Sequence, residues 1–408
     1  MTVRRFRIVV PFIPLVVLAA ILFYAWQRYA PPAPWAPSER AQIRSLWIDA
    51  LPPLPPDASN AVADDPRAVA FGHRLFFDGR LSATGAISCA HCHQPIRHFT
   101  DGLPRAVGLG TAARNTPSIV GTAYSPWFYW DGRRDSQWAQ ALVPIEAAVE
   151  HGTTRTEVAA VLSEDADYRR RYESLFGPLP ELPDGTDRVF ANVGKALAAY
   201  ERQLKPGTSR FDEYVAHLEA GGDPLEQPYL DAREIRGLRL FIGKARCLEC
   251  HNGPLFTNNE FHNTGLLSPA GERPERGRLD GVEEALADPF NCTGGFSDDE
   301  ERGCPELEFV RRGSELIGAT RVPSLRNLEN TAPFQSKGQF ATLSEVLEHY
   351  NAAPPAMIGH NEATALGLAA WELDDLEAFL NSLAAPVDAD PALLEPPGAG
   401  MALSPVRR

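Results

Sequence analysis

Two Cys-x-x-Cys-His motifs constrain this chain more strongly than any other feature of its sequence. They are Cys89-Ala90-His91-Cys92-His93 and Cys247-Leu248-Glu249-Cys250-His251. The spacing lets both thiols of a motif bond to one edge of a haem, and it lets the histidine that follows reach the iron as the proximal ligand. One motif alone is compatible with chance or with part of a zinc site. Two motifs within a repeated sequence predict two covalently bound c-type haems.

The sequence around the two motifs is also repeated. Residues 72–77 read Gly-His-Arg-Leu-Phe-Phe before the first motif, and residues 237–242 read Gly-Leu-Arg-Leu-Phe-Ile before the second. A Phe-Thr pair follows each motif. Because repeats indicate a repeated structural unit, we expect a mainly α fold with two small cytochrome c-like haem domains that pack across an interface. Their expected bounds are 64–205 and 206–385.

Signals for helix starts support this fold class. Asp65 followed by Pro66 is typical of an N-cap and a first helical residue. Thr186 or Asp187 is expected to cap another helix, and Thr342 with the glutamate three residues later matches a capping box. No convincing run of alternating apolar and polar residues indicates a strand-rich fold.

The amino terminus predicts export of the chain. Arg4, Arg5 and Arg7 precede an apolar run at residues 8–26, and these 19 residues are close to the length that spans a bilayer as a helix. Arginines stay on the cytoplasmic side, so the body of the protein is expected on the periplasmic side of the bacterial inner membrane, anchored by this run. A cleaved signal peptide is the alternative. The remaining expected segments are a membrane anchor or signal at 1–29, a Pro-rich linker at 30–63 and a disordered tail at 386–408.

Charge and cysteine count narrow the partners and the compartment. The formal net charge of −14 argues against nucleic acid and against an anionic membrane surface as partners. It favours a neutral or basic protein, or a small neutral substrate. Cys292 and Cys304 are the two cysteines outside the motifs, and in an oxidising compartment we expect them to form a disulfide, with two free thiols as the alternative.

The second axial position of each iron decides between classes of function. An electron carrier fills both axial positions with strong ligands, whereas a peroxidase leaves one iron open for its oxidant. Methionine is scarce, because the chain has three in all and Met401 lies in a tail rich in Pro and Gly. The candidates for the second haem are therefore Met357, Tyr350, His349 and His360.

Several phrases between residues 64 and 383 resemble the bacterial dihaem cytochrome c peroxidase superfamily, and in particular its MauG-like branch. They are Leu-Phe-Phe-Asp-Gly-Arg-Leu-Ser at 75–82, Arg-Asn-Thr-Pro-Ser at 114–118, Trp-Asp-Gly-Arg at 130–133, Pro-Ser-Leu-Arg-Asn at 323–327 and Thr-Ala-Pro at 331–333. Together they are specific to the superfamily, and they say less about the individual substrate.

The resemblance implies that the amino-terminal haem is the peroxide site, with His93 as its proximal ligand. Counting from Trp130, the family's distal Gln, Pro and Glu fall on Gln140, Pro144 and Glu150. Glu150 can move a proton between the two peroxide oxygens, although as a bare sequence feature it also suits an exposed loop. Members that need reductive activation carry a histidine just before the Arg-Asn phrase. This chain has none between residues 98 and 115, which implies an open iron.

For the second haem the resemblance implies His251 as proximal ligand and Tyr350 as the distal one. The family's distal ligand lies 17 residues after the proline of the Thr-x-Pro phrase, and counting from Pro333 gives Tyr350. Ordinary dihaem peroxidases have Met there and the MauG branch has Tyr. Met357 as the ligand, or Tyr350 as a core residue, are the alternatives.

The same resemblance makes Trp130 the electron relay between the haems, and it implies a calcium ion at Asn115, Thr331 and Pro333. Oxygen ligands of this kind suit a hard cation.

The expected function is reduction of hydrogen peroxide at the N-terminal haem, with electrons drawn through the C-terminal haem from a protein partner. That partner would be a small cytochrome c, a cupredoxin or a protein whose residues are oxidised as by MauG. Simple peroxide removal and a non-catalytic electron carrier are the alternatives. Residues 262–322 depart from the common pattern and are a candidate partner surface.

Overall fold

A computed structural model describes residues 17–18 and 33–398 of the chain. Within residues 33–398 the fold is mainly helical, and the strands are two residues long. The α-helices are α1 Pro37–Ser45, α2 Pro66–Phe76, α3 Cys89–Cys92, α4 Gln137–Glu146, α5 Arg155–Glu164, α6 Ala166–Phe176, α7 Thr186–Glu201, α8 Arg210–Glu219, α9 Ala232–Ile242, α10 Arg278–Ala287, α11 Pro305–Glu308, α12 Leu343–Ala352 and α13 Ala370–Asn381. The strands are β1 Lys205–Pro206, β2 Phe261–His262, β3 Thr320–Arg321 and β4 Val387–Asp388.

The first hydrophobic core forms where α2 and α4 pack against α7. Helix α2 begins as expected, because the Asp65 carboxylate accepts the backbone N–H of Arg67 at 2.8 Å and Pro66 occupies the first turn. Helix α7 begins at Thr186, but Gly185 is its N-cap and no side chain caps it, so the predicted cap is wrong. Almost all of α7 is buried, including the polar residues Asn192, Lys195 and Glu201.

The second core repeats this arrangement with α9 against α13, joined by α8 and α12. Helix α12 has the predicted capping box, in which Thr342 Oγ1 accepts the N–H of Glu345 at 3.2 Å and the Glu345 carboxylate accepts the N–H of Thr342 at 3.1 Å. The mainly α prediction is confirmed, and the two cores follow the repeated sequence.

One glycine in each core sets the distance between the crossing helices. A Cβ atom on Gly72 of α2 would lie 1.9 Å from the carbonyl oxygen of Ala196 in α7. A Cβ atom on Gly237 of α9 would lie 1.9 Å from the carbonyl oxygen of Asp375 in α13. Both contacts are far below van der Waals distance, so each crossing requires glycine. The repeated glycine in the sequence therefore has the same physical role twice.

The segment at 262–322 forms a smaller apolar cluster against the first domain. Cys292 and Cys304 are bonded to each other, so the predicted disulfide is confirmed, and both are buried in this cluster with Trp127 and Phe261. The buried ammonium of Lys195 in α7 lies 2.6 Å from the Asp298 carboxylate. The segment is thus attached to the first haem domain.

Two short antiparallel pairs join distant parts of the chain. Strand β1 pairs with β4, and β2 pairs with β3. The backbone N–H of Arg321 in β3 donates to the carbonyl oxygen of Trp130 at 2.8 Å. This bond connects the segment after the second motif to a loop of the first domain.

The expected linker at 30–63 and tail at 386–408 both need correction. Trp35 is buried in the second core, and its indole N–H donates to the Tyr214 hydroxyl at 2.6 Å, so this segment is attached to the second core and is not a free tether. Near the other end, the carbonyl oxygen of Leu393 accepts the Tyr200 hydroxyl at 2.8 Å. Proline-rich composition suggested extended chain, but Trp35, Ile43 and Leu46 of the first segment are buried, and Leu393 of the second is half-buried. Residues 399–408 of the expected tail lie outside the described residues.

The expected anchor at 8–26 lies outside the described residues, apart from residues 17 and 18. Across 17–18 and 33–398, no helix combines the length and the apolar character needed to cross a bilayer.

Candidate functional site

A cavity of about 330 Å³ lies beside α3 in the first domain. Its wall includes the first motif, Cys89, Cys92 and His93. The two cysteines are not bonded to each other, so both thiols are available for a covalent bond. The predicted distal residues Gln140, Pro144 and Glu150 line the same cavity.

The imidazole of His93 is held in one tautomer. Its Nδ1 lies 3.0 Å from the carbonyl oxygen of Phe99; because a carbonyl only accepts, Nδ1 carries the proton and Nε2 keeps its lone pair for a metal. His98 and Phe99 have left-handed φ values of 49° and 60°, which turn the chain so that this carbonyl faces the ring. Burial lowers the pKa of His93, so the ring is neutral.

Glu150 is held in a tight turn that follows α4. Its N–H donates to the carbonyl oxygen of Ala147 at 2.9 Å, and its own carbonyl oxygen accepts the N–H of Leu109 at 3.1 Å. Burial raises the pKa of the Glu150 carboxyl above its ordinary value. A carboxyl of this kind exchanges protons more readily near neutral pH than an exposed one does. Glu150 is therefore not the freely exposed loop carboxylate that the sequence alone also allowed.

Tyr129 is a residue of this cavity that the sequence analysis missed. Its hydroxyl donates to the backbone carbonyl oxygen of Gln140 at 3.1 Å and accepts the Gln140 side-chain amide at 3.3 Å. That carbonyl is free because Pro144, four residues later, has no N–H to donate to it. The guanidinium of Arg133 lies 3.5 Å from the centre of the Tyr129 ring. A proline inside the α4 sequence was the available signal for a free carbonyl.

Two further ionisable residues line the first cavity. Glu201, at the end of α7, is buried, and burial raises its pKa to about 8. His151 is buried, and its Nδ1 donates to the carbonyl oxygen of Leu81 at 2.9 Å. Together with His93, His151 supplies one of the two imidazoles that line the first cavity in the described part of the chain. Nothing in the local sequence distinguished either residue from a surface group.

A second cavity, of about 480 Å³, lies beside the second motif and is lined by Cys247, Cys250 and His251. The two cysteines are again unpaired. His251 repeats the arrangement of the first site, because its Nδ1 donates to the carbonyl oxygen of Phe256 at 2.9 Å and Phe256 has a φ of 54°. Burial lowers the pKa of His251 to about 4, so its Nε2 is an available lone-pair donor.

Of the four candidates for the distal ligand, Tyr350 is the one that lines the second cavity. Met357 has 49% of its surface exposed, and its sulfur accepts the N–H of Ser268 at 3.3 Å. His349 donates from Nε2 to the carbonyl oxygen of Thr264 at 2.9 Å, and His360 is exposed. Burial raises the pKa of the Tyr350 hydroxyl.

Trp130 lies on the wall that the two cavities share. The aspartate beside it, Asp131, is held between Arg114 at 2.9 Å and Arg133 at 3.0 Å. These ion pairs fix the loop and therefore the indole. The indole Nε1 is buried and has no hydrogen-bond partner among the described residues.

The three residues expected at a calcium ion, Asn115, Thr331 and Pro333, all line the second cavity, and Asn115 also lines the first. The Asn115 amide nitrogen donates to the carbonyl oxygen of Leu103 at 2.7 Å. This contact leaves its amide oxygen as the atom that can face a cation. An amide oxygen with backbone oxygens is a donor set that suits calcium when water completes the shell.

The residues of both cavities fit a c-type haem. Each cavity offers two unpaired thiols, an imidazole Nε2 with a free lone pair and a buried volume. In addition, Trp130 Nε1 and Arg321 Nε on the shared wall are buried donors without a partner among the described residues, and a haem carries carboxylates that accept such donors.

Comparisons with known proteins agree with this chemistry. A family model described as di-haem cytochrome c peroxidase matches residues 66–220. The methylamine utilization protein MauG of Methylorubrum extorquens is 34% identical over 325 residues, which cover 78% of this chain and 79% of the relative. The cytochrome-c peroxidase IdrP1 of Denitromonas iodatirespirans is 32% identical and covers 82% of this chain and 85% of the relative.

Solved structures show the same architecture. A crystal structure of a MauG-like protein associated with microbial copper homeostasis superposes with a TM-score of 0.61 at 28% identity. The match covers 85% of this chain and 97% of that one. The chain therefore shares both sequence and fold with these proteins over most of its length.

Proposed function

Because the chain belongs to the family of di-haem cytochrome c peroxidases and MauG proteins, whose members carry two c-type haems and act on peroxide, we propose that it reduces hydrogen peroxide in the first cavity with electrons that a protein donor delivers through the second. One observation carries this assignment. The first cavity is lined by both His93 and the half-buried carboxyl of Glu150, and the loop at 99–114 contributes no histidine or methionine to it.

The protein side chains would handle the protons of the reaction. When bound, the first haem would supply a redox-active iron that passes electrons from the donor to peroxide. Glu150 takes a proton from one peroxide oxygen and returns it to the other, so that the departing oxygen leaves as water. The amide of Gln140, oriented by Tyr129, holds the peroxide by a hydrogen bond. Two electrons and two further protons complete the conversion of each peroxide to two waters.

Electrons would reach the first cavity along the wall that both cavities share. Trp130 lies on this wall, and an indole can be oxidised at high potential, so it suits a relay between the sites. The net charge of −14 favours a donor protein with a basic face. A small cytochrome c or a cupredoxin fits this description.

A second candidate is oxidation of side chains on a partner protein, as in the MauG branch. Tyr350 favours it, because a tyrosinate oxygen is a hard anionic ligand that stabilises oxidised iron, and Met357 is exposed away from the cavity.

We also propose calcium at Asn115, Thr331 and Pro333. Export of the chain, with residues 1–29 as anchor or signal, is supported by the disulfide, since such bonds persist in oxidising compartments.

Spectroscopy of the holoprotein tests the open first site. Electron paramagnetic resonance of the oxidised protein should show one high-spin and one low-spin ferric haem. His151 is the imidazole that could compete for the first iron, so the spectrum of His151→Ala should keep the high-spin signal unchanged. Two low-spin signals in the parent, one of which is lost in His151→Ala, would refute the open site and favour an electron carrier.

The replacement Glu150→Gln tests the proton-transfer role. Turnover of peroxide should fall by at least about 100-fold, because general acid–base catalysis contributes that much or more, while haem content stays at the parental level. Steady-state kinetics with a cytochrome donor measures this. Glu146→Gln is the matched control, since Glu146 is exposed at the end of α4, just before the turn that holds Glu150, and pairs with Arg155 at 2.6 Å.

The pH dependence gives an independent check of the same residue. Since burial raises the pKa of Glu150, its basic form is lost as pH falls, and at a higher pH than for an ordinary glutamate. The rate of the parent should therefore decline on the acid side at that raised pKa, and Glu150→Gln should lack this decline. An unchanged rate and an unchanged acid limb in the variant would remove Glu150 from the mechanism.

A further inference from the structure

Arg321 has an unusual position between the two cavities. It is the second residue of β3, and its backbone N–H donates to the Trp130 carbonyl oxygen at 2.8 Å. Its side chain lines both cavities. One terminal nitrogen donates to Ser125 Oγ and to the Asn259 amide oxygen, each at 3.2 Å. Both of these partners are neutral, so they orient the guanidinium without balancing its charge.

The charge of Arg321 has no ion-pair partner among the residues that the structure describes. Among the residues of the described chain, no carboxylate lies within ion-pair distance of it, and its Nε is buried without a hydrogen bond. Burial lowers its pKa to about 10, which still leaves it protonated at neutral pH. Arg321 is half-buried and lines both cavities, so a group that fills them would leave its charge buried. A buried cation without a counter-charge is strongly unfavourable, and an anion is therefore expected at this place.

Other arginines with little exposed side chain show how the charge is normally balanced. Arg326 contacts Asp212 at 2.8 Å, and Arg236 contacts Asp375 at 2.7 Å. Arg278 lies between the rings of Trp127 and Phe261, at 3.7 Å and 4.0 Å from their centres. Arg321 has neither kind of contact, which indicates that its partner is a bound group and not a side chain.

A second donor on the same wall points to the same group. The indole Nε1 of Trp130 is buried and unpartnered among the described residues, and Trp130 also lines both cavities. Two orphaned donors, one of them charged, therefore face the space between the sites. A c-type haem is bonded to cysteine at its vinyl edge, and its propionate edge carries two carboxylates. These carboxylates are the anions that the cofactors bring into the cavities.

We propose that Arg321 binds haem propionates on the wall shared by the two cavities and that its single charge raises the reduction potential of both haems together. A fixed cation favours the reduced iron, which carries one positive charge less than the oxidised iron. Because its Nε is buried and the cofactors would fill the cavities beside it, its effect would be weakly screened. The reduction potentials of the two haems would then shift together, which suits sites that exchange electrons. This role concerns cofactor binding and potential, and it holds whether or not peroxide is the substrate.

The experiment is a spectroscopic redox titration of the purified diheme protein and its variants. Arg321→Gln should lower the midpoint potentials of both haems. Arg246→Gln is the control, because Arg246 lines the second cavity but is balanced by Glu249 at 2.8 Å, so its loss should shift neither potential comparably. A shift confined to one haem, or a shift no larger than that of Arg246→Gln, would overturn the proposal.

A second variant keeps the test decisive if Arg321→Gln loses haem or folds poorly. Arg321→Lys retains the charge but offers a point contact in place of a planar fork of donors. Its potentials should stay near those of the parent, whereas the propionate bands in the redox infrared difference spectrum should shift. Propionate bands identical to those of the parent would show that Arg321 does not contact these carboxylates.

Discussion

The first cavity owes part of its arrangement to a single missing N–H. Pro144 donates no hydrogen bond to the carbonyl oxygen of Gln140, and the Tyr129 hydroxyl takes that place at 3.1 Å. The same hydroxyl accepts the Gln140 side-chain amide at 3.3 Å. Burial raises the pKa of Tyr129 to about 12, so the hydroxyl is a donor at neutral pH. Tyr129 therefore positions the side chain that faces peroxide in the proposed reaction.

Replacement of Tyr129 by Phe should weaken this positioning. A typical hydrogen bond contributes about 1 kcal/mol, which corresponds to about a fivefold loss in kcat/KM for peroxide. The loss should appear mainly in KM if Gln140 holds the substrate. Stopped-flow measurement of the reaction with peroxide tests this, with Tyr124→Phe, which lines the other cavity, as the control. Equal kinetics of parent and Tyr129→Phe would contradict a positioning role.

The choice between two single residues, Tyr350 and Met357, decides the distal ligand of the second haem. Tyr350 lines the second cavity and Met357 is half exposed. We expect Tyr350→Phe to change the low-spin signal in electron paramagnetic resonance, because the oxygen donor is removed, and we expect Met357→Leu to leave it unchanged. If the signal changes in Met357→Leu and persists in Tyr350→Phe, the assignment of the ligand is reversed.

At the scale of elements, the two domains share one helix crossing. In each, a glycine brings α2 or α9 against a backbone carbonyl of its partner helix. In an isolated helix, alanine would be favoured over glycine by about 1 kcal/mol. The preference is reversed here because the backbone atoms of the partner helix occupy the place of a side chain. Tertiary packing thus explains why a poor helix former recurs at this position.

Gly72→Ala and Gly237→Ala should each lower stability by about 1–3 kcal/mol or more, as expected for overpacking. Thermal unfolding of the holoprotein, monitored by circular dichroism, measures the effect. Gly295→Ala is the matched control, because a Cβ atom there meets nothing within 4 Å, and its effect should stay within about 0.5 kcal/mol. Equal melting temperatures for Gly72→Ala and Gly295→Ala would show that the helices can separate freely.

At the scale of the whole molecule, charge governs the encounter with a donor. The chain carries 53 acidic and 39 basic residues, and haem propionates add negative charge. Attraction between such a surface and a basic protein acts over roughly the Debye length, which falls from about 10 Å at 0.1 M salt to about 3 Å at 1 M. Association with a basic donor is therefore expected to depend steeply on salt.

The second-order rate constant for reduction by a basic cytochrome c should fall as ionic strength rises. Stopped-flow absorbance of the haems measures this rate. An uncharged small-molecule donor is the control, and its rate should be nearly independent of salt, because no long-range attraction operates. A rate with the basic cytochrome that rises with salt would mean that donors dock on a basic patch and not on the acidic surface.

The sequence alone determined what depends on residues close together in the chain. The motif spacing places two thiols and an imidazole beside one cavity, and the cap at Asp65 and the capping box at Thr342 start their helices as predicted. These features follow from covalent geometry and from hydrogen bonds within a few residues. The resemblance to a known family added the expected positions of Gln140, Glu150 and Tyr350, and the structure places them in the two cavities.

Only the tertiary structure decided what depends on residues far apart. The burial of Trp35 in the second core and the contact of Leu393 with Tyr200 join segments that composition describes as loose. The pairing of Tyr129 with Gln140, and the place of Arg321 between two cavities, arise when separate segments meet. Local rules fix which groups a segment offers, whereas burial decides which of those groups lose water and must find a partner. The unbalanced charge of Arg321 is therefore visible only in the folded chain.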